Sequence, residues 1–252
     1  IDVLYEFIHS GNPEKRAFGN RTIRDDLMRA SMDRATGDYN EFWASRDYLN
    51  QMAPMKAALL MSHGFNDWNV MPEHSYRIYN KARAMGIPTQ IYYHQDGHGG
   101  PPPVEMMNRW FTKYLFEIEN GVENDAKAWI VRERDSQDQP TAYADFPNPS
   151  AESVILFPQK GGNDAGILSS KRSSKEKESL IDNANYSGEY LARAKSSNHR
   201  LLYTTPILSQ DPHLSGTASI EIKMASSKPA ANLSVWLVAL PWEDHKNAEI
   251  YD

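Results

Sequence analysis

The chain has 252 residues, enough to bury a core and, at ordinary domain sizes, to form two domains. Its 27 basic and 33 acidic side chains leave a net charge of −6 with no long basic block, which argues against a nucleic-acid partner. No apolar stretch approaches the roughly 18–20 residues that span a bilayer, and the lack of cysteine removes disulfide and thiolate chemistry.

The opening, "IDVLYEFIHSGNPEKR", has neither a basic n-region nor a long apolar h-region and no initiator Met, so the compartment stays open between cytoplasm, periplasm and exterior. Sequons at Asn20, Asn185 and Asn232 occur at about the frequency expected by chance and carry little weight. Residues 14–50 mix Leu27, Met28, Met32, Phe42, Trp43, Tyr48 and Leu49 with many charges around a "TGD" break, which predicts two amphipathic helices. From Lys56 the period changes. "KAALLMSHG" is a short continuous apolar run, suited to a parallel strand buried on both faces.

Pro72 then opens "PEHSYRIYNKARAMG", a helix with apolar positions at Tyr76, Ile78, Tyr79, Ala82 and Met85 and a stop at Gly86. "IPTQIYYHQ" is a second strand, "DGHGGPPP" a turn cluster, and "VEMMNRWFTKYLFEIENG" a helix expected to close at Asn120-Gly121. Strand, loop, helix, strand, loop, helix implies parallel strands in an α/β layer. Beyond Gly121, "AKAWIVRE", "ESVILFPQ", "RLLYTTPIL", "ASIEIKMA" and "LSVWLVALPW" are strand-like runs without long helices between them, the pattern of a β-sandwich or jelly roll. The expected division is 1–122, including the helical segment 14–50, and 123–252, truncated at its end. The polar stretch 161–199, with "GGNDAG" and "KRSSKEKE", reads as solvated loops and lacks the G-K-[ST] of a phosphate cradle.

Two strand-end loops carry the candidate acid and base. In open α/β sheets ligands bind beyond the carboxyl ends of the strands, so Asp67 and His98, one helix and one strand apart, project to one edge. An Asp that accepts from an imidazole fixes its tautomer and leaves the other nitrogen to take a proton from a nucleophile. The chain order Ser, Asp, His is that of α/β-hydrolases, and Asp67 followed by His98 supplies its last two members. Only Ser10, Ser31, Ser45 and Ser62 precede Asp67, and none lies in a G-x-S-x-G elbow. Truncation of the front half is the favoured explanation, and the isolated chain is expected to be inactive. "HQDGH" brings His94 and His98 together at i, i+4, yet Asp96-Gly97 breaks the helix that a zinc pair needs, so no metal or cofactor is expected. His63 reads as a hydrogen-bonded structural residue, and Trp43, Trp110 and Trp129 as core or interface aromatics.

"HGFNDWNV" followed by "DGHGG" resembles the H-G-x-x-D-x-N-V and D-x-H-G pair of the prolyl-specific serine peptidases. The long β extension further resembles the X-prolyl dipeptidyl aminopeptidase family, whose hydrolase domain runs into a jelly roll. Chains similar to dipeptidyl peptidase IV end soon after the His helix. The resemblance covers most of residues 36–240, including "TGDYNEFWASRDYLNQMAPMKAALL" and "LLYTTPILSQDPHLSGTASIEIKMASS". It implies Asp67 and His98 as triad members and Asn69 holding polar groups of the dipeptide. It implies Val70 walling the proline pocket, peptide substrates with a penultimate proline, and a homodimer. "GHGGPPP" departs from the lactic-acid-bacterial members and suggests another bacterial branch. The alternatives are a related acylase or esterase with a jelly roll, a dipeptidyl peptidase IV-like enzyme, or a β-sandwich binding module on an inactive hydrolase.

Overall fold

The computed structural model describes residues 11–33, 35–133, 135–172, 177–228, 231 and 233–242. Ser10, Asn232 and the terminal "EIYD" lie outside them. The described residues fall into two compact units, one within 1–57, 84–86 and 220–235, the other within 58–83, 87–219 and 236–252.

In the first unit, helix α1 (Pro13–Gly19) is capped by Asn12, whose side chain accepts from the Lys15 amide, and Pro13 sits where no amide is needed. The helix runs on as a π-type coil over Asn20–Arg29. The second expected helix is reduced to one turn, α2 (Glu41–Ala44), followed by a 3₁₀ turn at Tyr48–Gln51. Asp47, capping that turn, and the break before Asn40 leave too few residues for a longer helix.

The second unit holds the sheet that carries the candidate residues. Strand β1 (Leu59–Gly64) pairs in parallel with β2 (Thr89–His94), β2 in parallel with β3 (Ala128–Ile130), and β3 antiparallel with β4 (Thr141–Tyr143). Helix α3 (Pro72–Ala84) connects β1 to β2 and buries Ser75, Tyr79 and Ala82, one face at helical spacing. It ends as expected at Gly86, whose φ of +75° a side-chain-bearing residue would resist. The core joins Tyr79, Ile91, Tyr93, Ala128, Ile130 and Phe146, with Phe65 stacked on Tyr93 at 4.6 Å.

Burial differs from expectation in one respect. All six residues of β2 are buried, whereas residues 59–63 of β1 are half-buried, because β1 is the edge of the described sheet and has β2 on one side only. Helix α4 (Val104–Tyr114) is also shorter than predicted. Glu117 takes φ +56° and the Ile118 amide closes back on the Thr112 carbonyl, which ends the helix before Asn120. Trp110 is buried on α4 against Tyr114, whereas Trp43 and Trp129 are half-buried and donate to the Met32 and Ala126 carbonyls.

Beyond β4 the observed sheet is small: β5 (Phe157–Pro158), β6 (Gly166–Ser169) and β7 (Tyr203–Thr204), with helix α5 (Gly188–Arg193) between the last two strands. The runs expected as strands over 218–225 and 233–242 have no ladder among the described residues. Ile220, Ile222, Met224, Val235 and Leu237 stay exposed there, since alternation makes a strand only where a neighbour accepts its hydrogen bonds. No helix among the described residues is long and apolar enough to cross a membrane.

Candidate active site

Parallel pairing of β1 with β2 ends in register at Gly64 and His94, so the two following loops leave the sheet side by side. Gly64 makes their approach feasible. A Cβ there would lie 2.2 Å from the Asp96 carbonyl oxygen and 2.4 Å from that of Gly97, so any larger residue would push the loops apart. The Asn66 side chain ties them together by donating to the Gln95 carbonyl at 2.6 Å.

The structure brings Asp67 and His98 into contact, with His98 Nδ1 3.0 Å from Asp67 Oδ2. Asp67 is buried and His98 keeps 55% of its side-chain surface exposed, so a fixed anion stands behind a reachable base. Oδ1 of Asp67 accepts the backbone N–H groups of Asn69 at 2.9 Å and Val70 at 2.8 Å. Burial pushes the Asp67 carboxyl up, but the bonds from the Val70 amide, the His98 ring and the Asn69 amide outweigh it and hold the pKa below the usual 3.8. An ionised carboxylate only accepts, so His98 Nδ1 carries the hydrogen and Nε2 is the nitrogen left to take a proton. The side chains of Asn69 and Val70 are exposed on the same loop, beside the carboxylate that their amides hold.

Two residues at the end of β1 also contribute. Ser62 Oγ donates to the Gly100 carbonyl at 2.6 Å, which commits that hydroxyl to bracing the His98 loop. His63 Nε2 lies 3.2 Å from Asp67 Oδ2 and 2.7 Å from the Val70 carbonyl oxygen, so Asp67 has two imidazoles on one oxygen. The i, i+4 spacing of His63 and Asp67 was the available signal, but only the turn of the loop after Gly64 makes it a contact. His94 turns inward, with Nδ1 accepting from the Asp96 amide at 3.2 Å.

Comparison with known proteins matches residues 2–100 to the X-Pro dipeptidyl-peptidase (S15 family) and residues 120–246 to the X-Pro dipeptidyl-peptidase C-terminal non-catalytic domain. The chain belongs to the X-Pro dipeptidyl-peptidase family. Within this family, a Rhodopirellula baltica protein named "Putative Xaa-Pro dipeptidyl-peptidase" is 54% identical over 100% of the chain and 41% of its own length. A Bacillus anthracis protein of the same name is 30% identical over 84% of the chain and 36% of its length. The "Xaa-Pro dipeptidyl-peptidase" of Lactobacillus delbrueckii subsp. bulgaricus is 26% identical over 84% of the chain and 28% of its length. The chain thus spans less than half the length of these X-Pro dipeptidyl-peptidase relatives, and both motif loops fall inside the matched S15 segment.

Proposed function

We propose that this chain supplies the acid and base of a serine exopeptidase that releases N-terminal Xaa-Pro dipeptides through an acyl-enzyme. The observation that carries this reading is the Asp67–His98 contact at the ends of two adjacent parallel strands, inside the D-x-N-V and D-x-H-G motifs. The nucleophilic serine comes from the region upstream of Ile1. His98 Nε2 takes the serine proton as the oxygen attacks the carbonyl carbon of the proline residue. It then returns that proton to the departing amine, and water reverses the sequence to release the dipeptide. Asp67 stays ionised throughout, orienting the ring and stabilising imidazolium. Asn69 binds polar groups of the dipeptide, and Val70 walls the proline pocket.

The layout we infer is an α/β-hydrolase domain to about residue 122, followed by a jelly roll. The matched segments 2–100 and 120–246, the Gly121 turn at φ +73° and the alternation of Ile220, Ile222 and Met224 support it. Assembly as a homodimer belongs to the same reading, and sedimentation of the full-length protein tests it.

The decisive experiment is turnover of Gly-Pro and Ala-Pro chromogenic amides by the full-length protein and its Asp67→Asn and His98→Ala variants. Each variant should lose about 10³–10⁴-fold in kcat, the scale for removing a triad member. Retention within about tenfold by either one would overturn the assignment.

A further inference from the structure

One of the two imidazoles on Asp67 has no part in the reaction above. A carboxylate offers about four lone-pair sites. On Asp67 they are met by the Asn69 and Val70 amides at Oδ1, and by His98 Nδ1 and His63 Nε2 at Oδ2. His63 Nε2 stands between two acceptors, the carboxylate at 3.2 Å and the Val70 carbonyl at 2.7 Å, so this nitrogen carries the hydrogen and shares it between them. Its base is rigid: His63 lies on β1 directly across from the buried Tyr93 of β2, and its side chain keeps 11% of its surface.

Val70 is consequently held at both ends of one residue. Its N–H goes to Asp67 Oδ1 and its C=O receives the hydrogen of His63, which itself rests on Asp67 Oδ2. We propose that His63 is a positioning residue whose single Nε2–H locks the Asp67 carboxylate and the Val70 backbone together, tying the triad acid to the wall of the proline pocket. The inference rests on the peptidase reading for what is positioned, but the bond itself stands or falls independently of turnover. A core histidine that merely filled space would have no requirement for hydrogen at Nε2 and would tolerate any ring of its size.

Two measurements test this. In imidazole ¹⁵N–¹H spectra of this chain, His63 should appear as the Nε2–H form, and Asp67→Asn should shift its Nε2 resonance. In the full-length protein, His63→Phe keeps a ring but removes the donor. It should lower kcat on Gly-Pro amides about 10–100-fold, as for loss of one hydrogen bond to a charged group. It should also narrow the preference for proline over alanine at the cleaved residue. His63→Gln, whose amide reaches the Nε2 position, should restore most of both. Hydrogen at Nδ1 with Nε2 bare, or His63→Phe within twofold of parental kcat and selectivity, overturns the proposal. If His63→Phe fails to fold, the spectrum and the His63→Gln kinetics decide. A parent without turnover would sink the peptidase reading, and the spectrum would still decide the bond.

Discussion

Asp67 and Glu178 are built alike. Each carboxylate gives one oxygen to two consecutive backbone amides, Asn69 and Val70 in one case, Gly161 and Gly162 in the other at 2.8 Å each. In both, burial pushes the carboxyl up and the hydrogen bonds more than reverse the shift. They differ at the second oxygen. Asp67 faces imidazoles, one of them largely exposed, whereas Glu178 takes the Tyr203 hydroxyl at 2.6 Å, a phenol that burial and Glu178 itself push upward. Burial and the Glu178 charge keep the Tyr203 phenol protonated, so its hydroxyl donates to Glu178 as a fixed contact within the fold. The same carboxylate cradle thus meets a largely exposed imidazole with a second ring nitrogen in one case, and a half-buried phenol whose hydroxyl is already committed in the other.

The Glu178 cradle also has a cationic counterpart. Gly162 donates its N–H to Glu178, and its carbonyl accepts from Arg200 Nη1 at 2.8 Å. Arg200, buried, further donates to the carbonyls of Leu191 at 2.7 Å, Asp164 at 2.9 Å and Ala194 at 2.6 Å. Gly162 thus stands between anion and cation through the peptide groups on its two sides, and the "GGND" loop is shaped by two side chains of its own unit.

The comparison breaks most sharply at Asp67→Asn. Turnover by the full-length protein should fall by the 10³–10⁴-fold given above, while the unfolding midpoint of the chain moves far less, because two amide bonds to the retained oxygen survive. Arg200→Met is the opposite case. It leaves the buried Gly162 carbonyl and the part-buried bonds to Leu191, Asp164 and Ala194 without their donor and should cost about 3–5 kcal/mol in urea unfolding. Arg200→Lys should recover under half of that, since one ammonium cannot reach carbonyls on both sides of a guanidinium plane. Neither Arg200 variant, assayed while folded, should alter kcat. Glu178→Gln comes next, with a loss of about 1–2 kcal/mol by the same measurement and unchanged kcat, because an amide replaces an acceptor that two N–H groups share. A kcat loss beyond threefold in folded Glu178→Gln would remove the distinction drawn between the two cradles.

Sequence made one of these sites legible and hid the other. The Asp67–His98 contact was readable because the Asp-before-His order, the strand-end position and the D-x-N-V context all concern residues close to a recognisable strand. The β1–α3–β2 unit was readable for a related reason: a short apolar run, a Pro start, a Gly stop and helical spacing are local signals. The second contact of His63 depends on how the loop after Gly64 turns back, which a tight backbone approach to Asp96 and Gly97 dictates. Glu178 and its glycines are 16 and 17 residues apart across a polar segment whose composition says only that it is a loop. "GGNDAG" does cradle an anion, but the anion is the chain's own glutamate. Over 218–225 and 233–242 the alternation was legible, but pairing is a property of neighbours that a run does not encode.

The smallest expected effect concerns His94, a buried polar residue at the end of β2 beside the two motif loops. Its side chain keeps 1% of its surface and its ring sits where a Cβ at Gly100 would lie 2.6 Å from Cε1. Burial lowers its pKa from 6.5 and nearby His63 acts in the same direction, against the opposing carboxylates of Asp96, 3.9 Å from Nδ1, and Asp67. The folded chain therefore refuses a proton that the unfolded chain accepts. Stability from neutral His94 is complete above about pH 6.5 and declines as pH falls from there to the lower folded value, by at most about 1.4 kcal/mol per pH unit. Asp67, depressed from 3.8, acts in a separate window, its contribution complete above about pH 4 and lost only as pH falls through its lower folded value. Urea midpoints of the chain at pH 7.5 and 5.5 should consequently differ, and His94→Phe should flatten that difference while leaving the steeper loss below pH 4 in place. An undiminished difference in His94→Phe would assign the neutral-range slope to some other group and leave His94 as a ring that packs against Gly100.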